Sequence, residues 1–206
     1  MSWKNCILNI FGFKVKYNNN FFNDDWFNNW DLLKYVLKEL IESKCHWKRI
    51  LDFGCGPGVM IDLMNDAGYD YYGFDTSMDA HKLYLNNFGK YPDKYLVDIH
   101  KIKHSEWDLC LSFDVLEHMA DEQVIDVFSK MGNFSELLLN ISRQKGIPGH
   151  INIKNDNEWQ QFFESIGYHI DKNQTKEIHD HYLQIRPDGP DLWHKNIFLF
   201  SRNYDE

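Results

Sequence analysis

Three shortages shape this chain of 206 residues. Cysteine is scarce, and Cys6, Cys45, Cys55 and Cys110 have no paired spacing. That argues against a disulfide-stapled secreted scaffold and for reduced, mostly buried thiols. Cys55 has the chemistry of a nucleophile, yet small size alone explains a cysteine at its position. Long hydrophobic runs are missing: no stretch approaches the ~20 apolar residues that span a bilayer. No signal-peptide pattern is present either. Lys14 and Lys16 follow the first apolar patch without a small-residue cleavage site, so a cytoplasmic location is expected. Positive charge is also short, with 22 Lys and Arg against 31 Asp and Glu and a net charge of −9. Long nucleic acid and anionic membrane are therefore disfavoured partners. Arg143 and Lys145 are the candidates for a local basic patch able to hold one phosphate.

What the chain does have is apolar material: 43% hydrophobic and 16% aromatic residues, enough for a globular protein with a sizeable core. No linker, repeat or second composition breaks it, so a single domain over 1–206 is expected. Residues 1–29, rich in asparagine and aromatics (Asn18, Asn19, Asn20, Phe21, Phe22, Trp26, Phe27), read as an irregular N-terminal cover on an α/β core over 30–206. From Trp30 to Glu42 apolar residues recur at helical spacing (Leu32, Leu33, Val36, Leu37, Leu40, Ile41). Strands and helices then alternate. Strands are predicted at Arg49–Phe53, Tyr71–Phe74, Lys94–Val97, Asp108–Phe113, Glu136–Ile141, Tyr168–Asp171 and Asn196–Ser201. Helices are predicted at Val59–Ala67, at Met78–Phe88, from an Asp121 cap, and from an Asp156 cap carrying Trp159, Phe162, Phe163 and Ile166 inward. This alternation predicts a parallel sheet with helices on both faces.

Ile50-Leu51-Asp52-Phe53-Gly54-Cys55-Gly56-Pro57-Gly58 reads as a strand, a glycine loop and a helix start. In an open α/β sheet that is where a nucleotide-type ligand sits. The glycines are expected there because side chains would hold a nucleoside away from the backbone. Asp52, Asp75, Asp98 and Asp114 each fall at a predicted strand end. Asp favours turns and caps anyway, but the ordered succession points to a ligand edge. The sixth-position glycine of a dinucleotide loop is absent (Val59), which weakens a nicotinamide-dependent oxidoreductase. The Lys-Ser/Thr ending of an NTPase loop is absent too. A nucleoside without phosphates fits better: Asp75 can accept from a ribose diol, and Asp98 from an exocyclic adenine amine.

The runs LDFGCGPG, GFDTS, VDI and WDLCLSFDVLEHM resemble the successive motifs of class I S-adenosylmethionine-dependent methyltransferases, over about residues 30–141. The resemblance implies a Rossmann-like α/β fold, with a seven-stranded, mostly parallel sheet whose last strand is antiparallel. It implies S-adenosyl-L-methionine (SAM) as cofactor, lined by Gly54, Cys55, Gly56 and Gly58. Asp75 would hold the ribose beside Thr76, Asp98 and Ile99 would flank the adenine, and Phe113 would face the cofactor.

Methyl transfer from a sulfonium is in-line displacement, so the protein chiefly positions reactants, but a hydroxyl acceptor needs a base or a metal. If the run after Phe113 begins a helix, Asp114, Glu117 and His118 share a face, and His150 follows the fifth strand onto the same edge. Asp114, Glu117, His118 and His150 would suit Mg²⁺, Mn²⁺ or Fe²⁺. The D-x-x-E-H run resembles the metal site of small-RNA 2′-O-methyltransferases, with Asp in place of the first Glu. Without metal, His118 and His150 are the candidate catalytic residues, or His118 simply packs and His150 hydrogen-bonds its loop. His179 and His181 read as an exposed turn, with a reserve role as ligands. Trp26, Phe27, Trp30, Trp159 and Trp193 read mostly as core, with a capacity to stack on a sugar. The expected acceptor is a small molecule or glycan with a vicinal diol. The competing readings are metal-free methylation of an amine or phenol, and a nucleoside-binding regulator without turnover.

Overall fold

The computed structural model describes residues 22–102, 106–185 and 194–202. Most of the expected N-terminal cover, Cys6 and Trp193 lie outside the described residues, and nothing is described of the Trp26 side chain. Seven strands form one sheet: β1 (Arg49–Phe53), β2 (Asp70–Phe74), β3 (Tyr95–Leu96), β4 (Glu106–Phe113), β5 (Asn133–Asn140), β6 (Tyr168–Ile170) and β7 (Ile197–Arg202). Their order is β3-β2-β1-β4-β5-β7-β6. The pairings among β1 to β5 are parallel, and β7 runs antiparallel to both β5 and β6. The helices are α1 (Asp24–Ser43), α2 (Ile61–Asp66), α3 (Met78–Asn87), α4 (Asp121–Met131), α5 (Asp156–Ser165) and α6 (Lys172–Ile185).

Alternation along each strand splits the core into two layers. Ile50, Leu109, Leu111 and Leu138 pack against α1, α2 and α6, with Tyr84 of α3 in the same layer. Leu51, Cys110, Leu137 and Leu139 pack against α4 and α5. The parallel strands are buried on both faces, as covered parallel sheets are. Cys55 and Cys110 are buried and Cys45 exposed, all as free thiols. No helix among the described residues is long and apolar enough to cross a membrane.

Several local expectations need correction. Helix α1 starts at Asp24, so residues 24–29 are helical rather than irregular. The N-caps of α4 and α5 are Ala120 and Asn155, each one residue before the expected aspartate. At α4 the Gln123 side chain reaches back to accept from Ala120 N at 2.8 Å. His179 and His181 lie inside α6, not in a turn. Two positions apart on a helix, they point to different sides. His179 Nε2 is bonded to the Ile197 carbonyl at 2.7 Å. Trp159 is fully buried between α5 and the sheet, so it offers no stacking face to a ligand.

The glycine loop is shaped by its protein neighbours. A Cβ at Gly54, where φ is +81°, would lie 2.2 Å from Val115 Cγ2, and one at Gly58 would lie 2.8 Å from Ile61 Cδ1. Packing of the loop against the fold, together with the positive φ, by itself requires glycine at these two positions. Replacing Gly54 by alanine is expected to cost roughly 3 kcal/mol in a denaturant titration, part overlap and part left-handed backbone. Adding Val115→Ala should recover the overlap and leave about 1–2 kcal/mol.

Candidate functional site

The carboxyl ends of β1, β2 and β3 are laced together by backbone bonds. Gly54 N and Cys55 N both donate to the Phe74 carbonyl (2.8 and 3.1 Å), and Asp75 N donates to Leu96 O (3.1 Å). Gly56 is held on both sides: its N–H donates to Asp75 Oδ2 at 3.0 Å, and its carbonyl accepts from Tyr95 Oη at 2.6 Å. Asp75 Oδ1 accepts from Ser77 N at 2.7 Å. The loop is thus pre-organised, with an anionic side chain at its centre. Burial raises the Asp75 pKa, against the two backbone N–H groups that favour its charge.

Beneath the loop lies Asp52, which is buried and accepts from Tyr71 Oη at 2.9 Å. Burial, opposed by the Tyr71 bond and assisted by the charge of Asp75, lifts its pKa to about 7. The Cys55 thiol is pushed well up by burial and by the same two acids, so it is no nucleophile at neutral pH.

The other expected residues follow or close the strands at the same edge: Thr76 after β2, Asp98 and Ile99 after β3, and Phe113 at the end of β4. Cys55 and Ile99 are buried and Thr76 half-buried. Asp98 is exposed and caps a short 3-10 turn by accepting from His100 N at 3.0 Å. Phe113 ends β4 beneath an edge-on contact from Trp30 of α1, with ring centroids 6.4 Å apart. Tyr95, which holds the Gly56 carbonyl, is absent from the residues expected at the site, whereas Asp52 is among the expected strand-end acids. Asp52 had a visible signal, an acid inside an apolar run; Tyr95 had none.

Beyond β4 the chain makes a 3-10 turn over Leu116–His118. This tighter turn starts two residues after Asp114, so the expected convergence on one helical face fails. Asp114 is exposed with φ +54°, and it does not join the cluster that could hold a metal, which is Glu117, His118 and His150. The ligand atoms of these three lie within 4.8 Å of one another. Glu117 is fully buried; its Oε1 accepts from Ser142 N at 3.0 Å and its Oε2 has no hydrogen-bond partner. Burial first, and then the neighbouring Asp114, raise its pKa to about 8. His118 is paired through Nδ1 with the Gly149 carbonyl at 2.9 Å. A carbonyl only accepts, so Nδ1 carries the proton and the lone pair lies on Nε2. Burial lowers the His118 pKa, against the Gly149 bond that raises it, and so favours the neutral ring. His150 meets it edge-on, with centroids 4.7 Å apart.

Of the expected basic patch, Lys145 is exposed and Arg143 is engaged by its neighbours. Arg143 donates to Asn196 Oδ1 (2.9 Å), Asp156 Oδ1 (2.5 Å) and Lys195 O (2.9 Å), so its guanidinium is committed to the fold.

Residues 29–136 match the protein family described as the methyltransferase domain. The chain belongs to that family. A curated relative, the ubiquinone biosynthesis O-methyltransferase of Thiobacillus denitrificans, is 35% identical over 80 residues, which are 36% of this chain. The matched segment spans about a third (34%) of that relative's length. Among solved structures, magnesium protoporphyrin IX methyltransferase from Synechocystis PCC 6803 with bound SAM aligns at TM-score 0.57 and 14% identity, covering 85% of this chain and 80% of that one. A SAM dependent methyltransferase from Archaeoglobus fulgidus aligns at TM-score 0.56 and 16% identity, covering 84% and 94%. These structural likenesses establish the methyltransferase fold; the site geometry belongs to this chain.

Proposed function

We propose that this methyltransferase moves the methyl group of SAM to a hydroxyl of a small molecule bearing adjacent hydroxyls, carbohydrate or otherwise. Gly54, Cys55, Gly56 and Gly58 line the cofactor, Asp75 accepts from its ribose, Thr76 lies beside it, Asp98 and Ile99 flank the adenine, and Phe113 faces it. A negative cradle suits a donor that carries a sulfonium and an ammonium group.

One observation carries the hydroxyl reading: the convergence of Glu117, His118 and His150 on the same sheet edge as the cradle. An alkyl hydroxyl attacks poorly until its proton is drawn away. The buried, unpartnered Oε2 of Glu117 and two imidazoles form a mixed oxygen–nitrogen donor set that fits a divalent cation such as Mn²⁺, Mg²⁺ or Fe²⁺. When bound, such an ion supplies the positive charge that makes a coordinated hydroxyl acidic. The chain's own contribution is to fix the ligands. The Gly149 carbonyl orients His118, and the Ser142 amide orients Glu117. A second reading draws on the same His118 geometry: a neutral imidazole with its lone pair on Nε2 is itself a general base.

Transfer of a labelled methyl group from SAM to a catechol or 1,2-diol tests the reading, with a chelator and then with Mn²⁺ added back. Activity is expected to fall at least ~10-fold with chelator and to return with metal. Chelator-insensitive transfer that is abolished by His118→Ala would remove the metal and leave the base. Methylation of amines alone would remove both.

A further inference from the structure

Two large apolar side chains stand outside the core on the reacting edge. Ile147 and Ile151 are 42% and 60% exposed, and the chain between them carries His150. The other exposed large hydrophobics among the described residues lie on helices.

This segment is rigid by construction. Ile147-Pro148-Gly149-His150 closes with His150 N donating to Ile147 O at 3.1 Å, and Gly149 has φ +92°. Proline second and a left-handed glycine third are what a type II turn demands. The turn is also clamped from outside. Its Gly149 carbonyl is paired with His118 Nδ1, and Ile151 N and Asn152 N both donate to Glu117 O at 2.9 and 3.0 Å. Asn152 Nδ2 donates to Met119 O at 2.7 Å. The two isoleucines are therefore held in water beside His150. Arg143, near this rim, has its charge paired with Asp156 at the surface and its remaining donors on Asn196 and the Lys195 carbonyl. Apolar surface held beside a site with convergent polar groups is the kind of lining that ligand pockets use.

We propose that Ile147 and Ile151 form the apolar wall of the acceptor site, and that the acceptor presents an apolar face next to its reacting hydroxyl. The assignment rests on the reading of Glu117, His118 and His150 as the end where the hydroxyl reacts. A hydrophilic sugar without such a face is then a poor substrate, and a hydroxyl on an aliphatic or aromatic scaffold a good one.

The test uses the full chain saturated with S-adenosylhomocysteine and a series of straight-chain 1,2-diols from butanediol to octanediol, with binding read by calorimetry. Each added methylene is expected to tighten binding by roughly 2- to 4-fold. In the double variant Ile147→Ser/Ile151→Ser the total gain over the series should collapse to less than ~2-fold. Both residues are exposed, so the variant should keep the wild-type melting temperature. Equal chain-length dependence in the two proteins, or none in the wild type, overturns the proposal. Failure of the hydroxyl-transfer reading looks different: the chain-length dependence and its loss in the variant persist, but labelled SAM passes no methyl group to octanediol.

Discussion

Replacing Asp75 by alanine is expected to weaken SAM binding by roughly 100-fold or more, about 3 kcal/mol, while the protein stays folded. Two contributions combine. The carboxylate is the proposed acceptor for the ribose hydroxyls, and charge-assisted bonds of this kind are the stronger sort. It also ties Gly56 N at 3.0 Å and Ser77 N at 2.7 Å, so its loss frees the floor of the cradle. Asparagine keeps one acceptor and should fall between the two. Calorimetric titration with SAM, beside a melting curve for each variant, checks this. Wild-type affinity in the alanine variant would remove the cofactor assignment of the whole loop.

The second large effect is on stability, and its sign is opposite. Burial lifts Asp52 from 3.8 to about 7. An acid whose folded pKa is raised favours the fold most while both states are protonated. Its contribution is lost as pH rises from the unfolded pKa through the folded one, because the unfolded chain gives up its proton first. Wild-type protein should therefore lose roughly 3–4 kcal/mol from this group between about pH 4 and pH 7. Asp52→Asn keeps an acceptor for Tyr71 Oη and cannot ionise. Relative to wild type it should gain nothing near pH 4 and melt on the order of 10 °C higher above pH 8. The same variant should bind SAM more weakly, since the cationic donor loses a negative charge beneath it. Cys55, Asp75, Tyr71 and Cys110 all interact electrostatically with Asp52, and the thiols and the phenol stay neutral across this range because their own pKa values are raised. A melting difference that is flat with pH would show that Asp52 is already ionised in the empty site.

Local rules account for much of this molecule. Strands end within about three residues of their predicted bounds, because alternation and apolar runs are properties of neighbouring residues. The ladder of Gly54, Asp75, Asp98 and Asp114 was legible for the same reason: each member stands at a turn that its own neighbours create. Helix α6 was not legible. Its buried stripe is only Thr175, Ile178 and Tyr182 amid polar residues, and α1 and the sheet, rather than composition, supply the surface that stabilises it.

The order of the strands' chemistry and the glycine–acid ladder at their carboxyl ends were thus written in the chain itself, since both follow from patterns a few residues long. Which groups meet was decided only in three dimensions. Tyr95 reaches Gly56 across 39 positions, Glu117 reaches Ser142 across 25, and Arg143 reaches Asn196 across 53. A 3-10 turn in place of an α-helix sends Asp114 outward and leaves Glu117 facing two histidines. Such contacts depend on how the layers pack and how the turns close, and no period in the sequence encodes a partner so far along the chain.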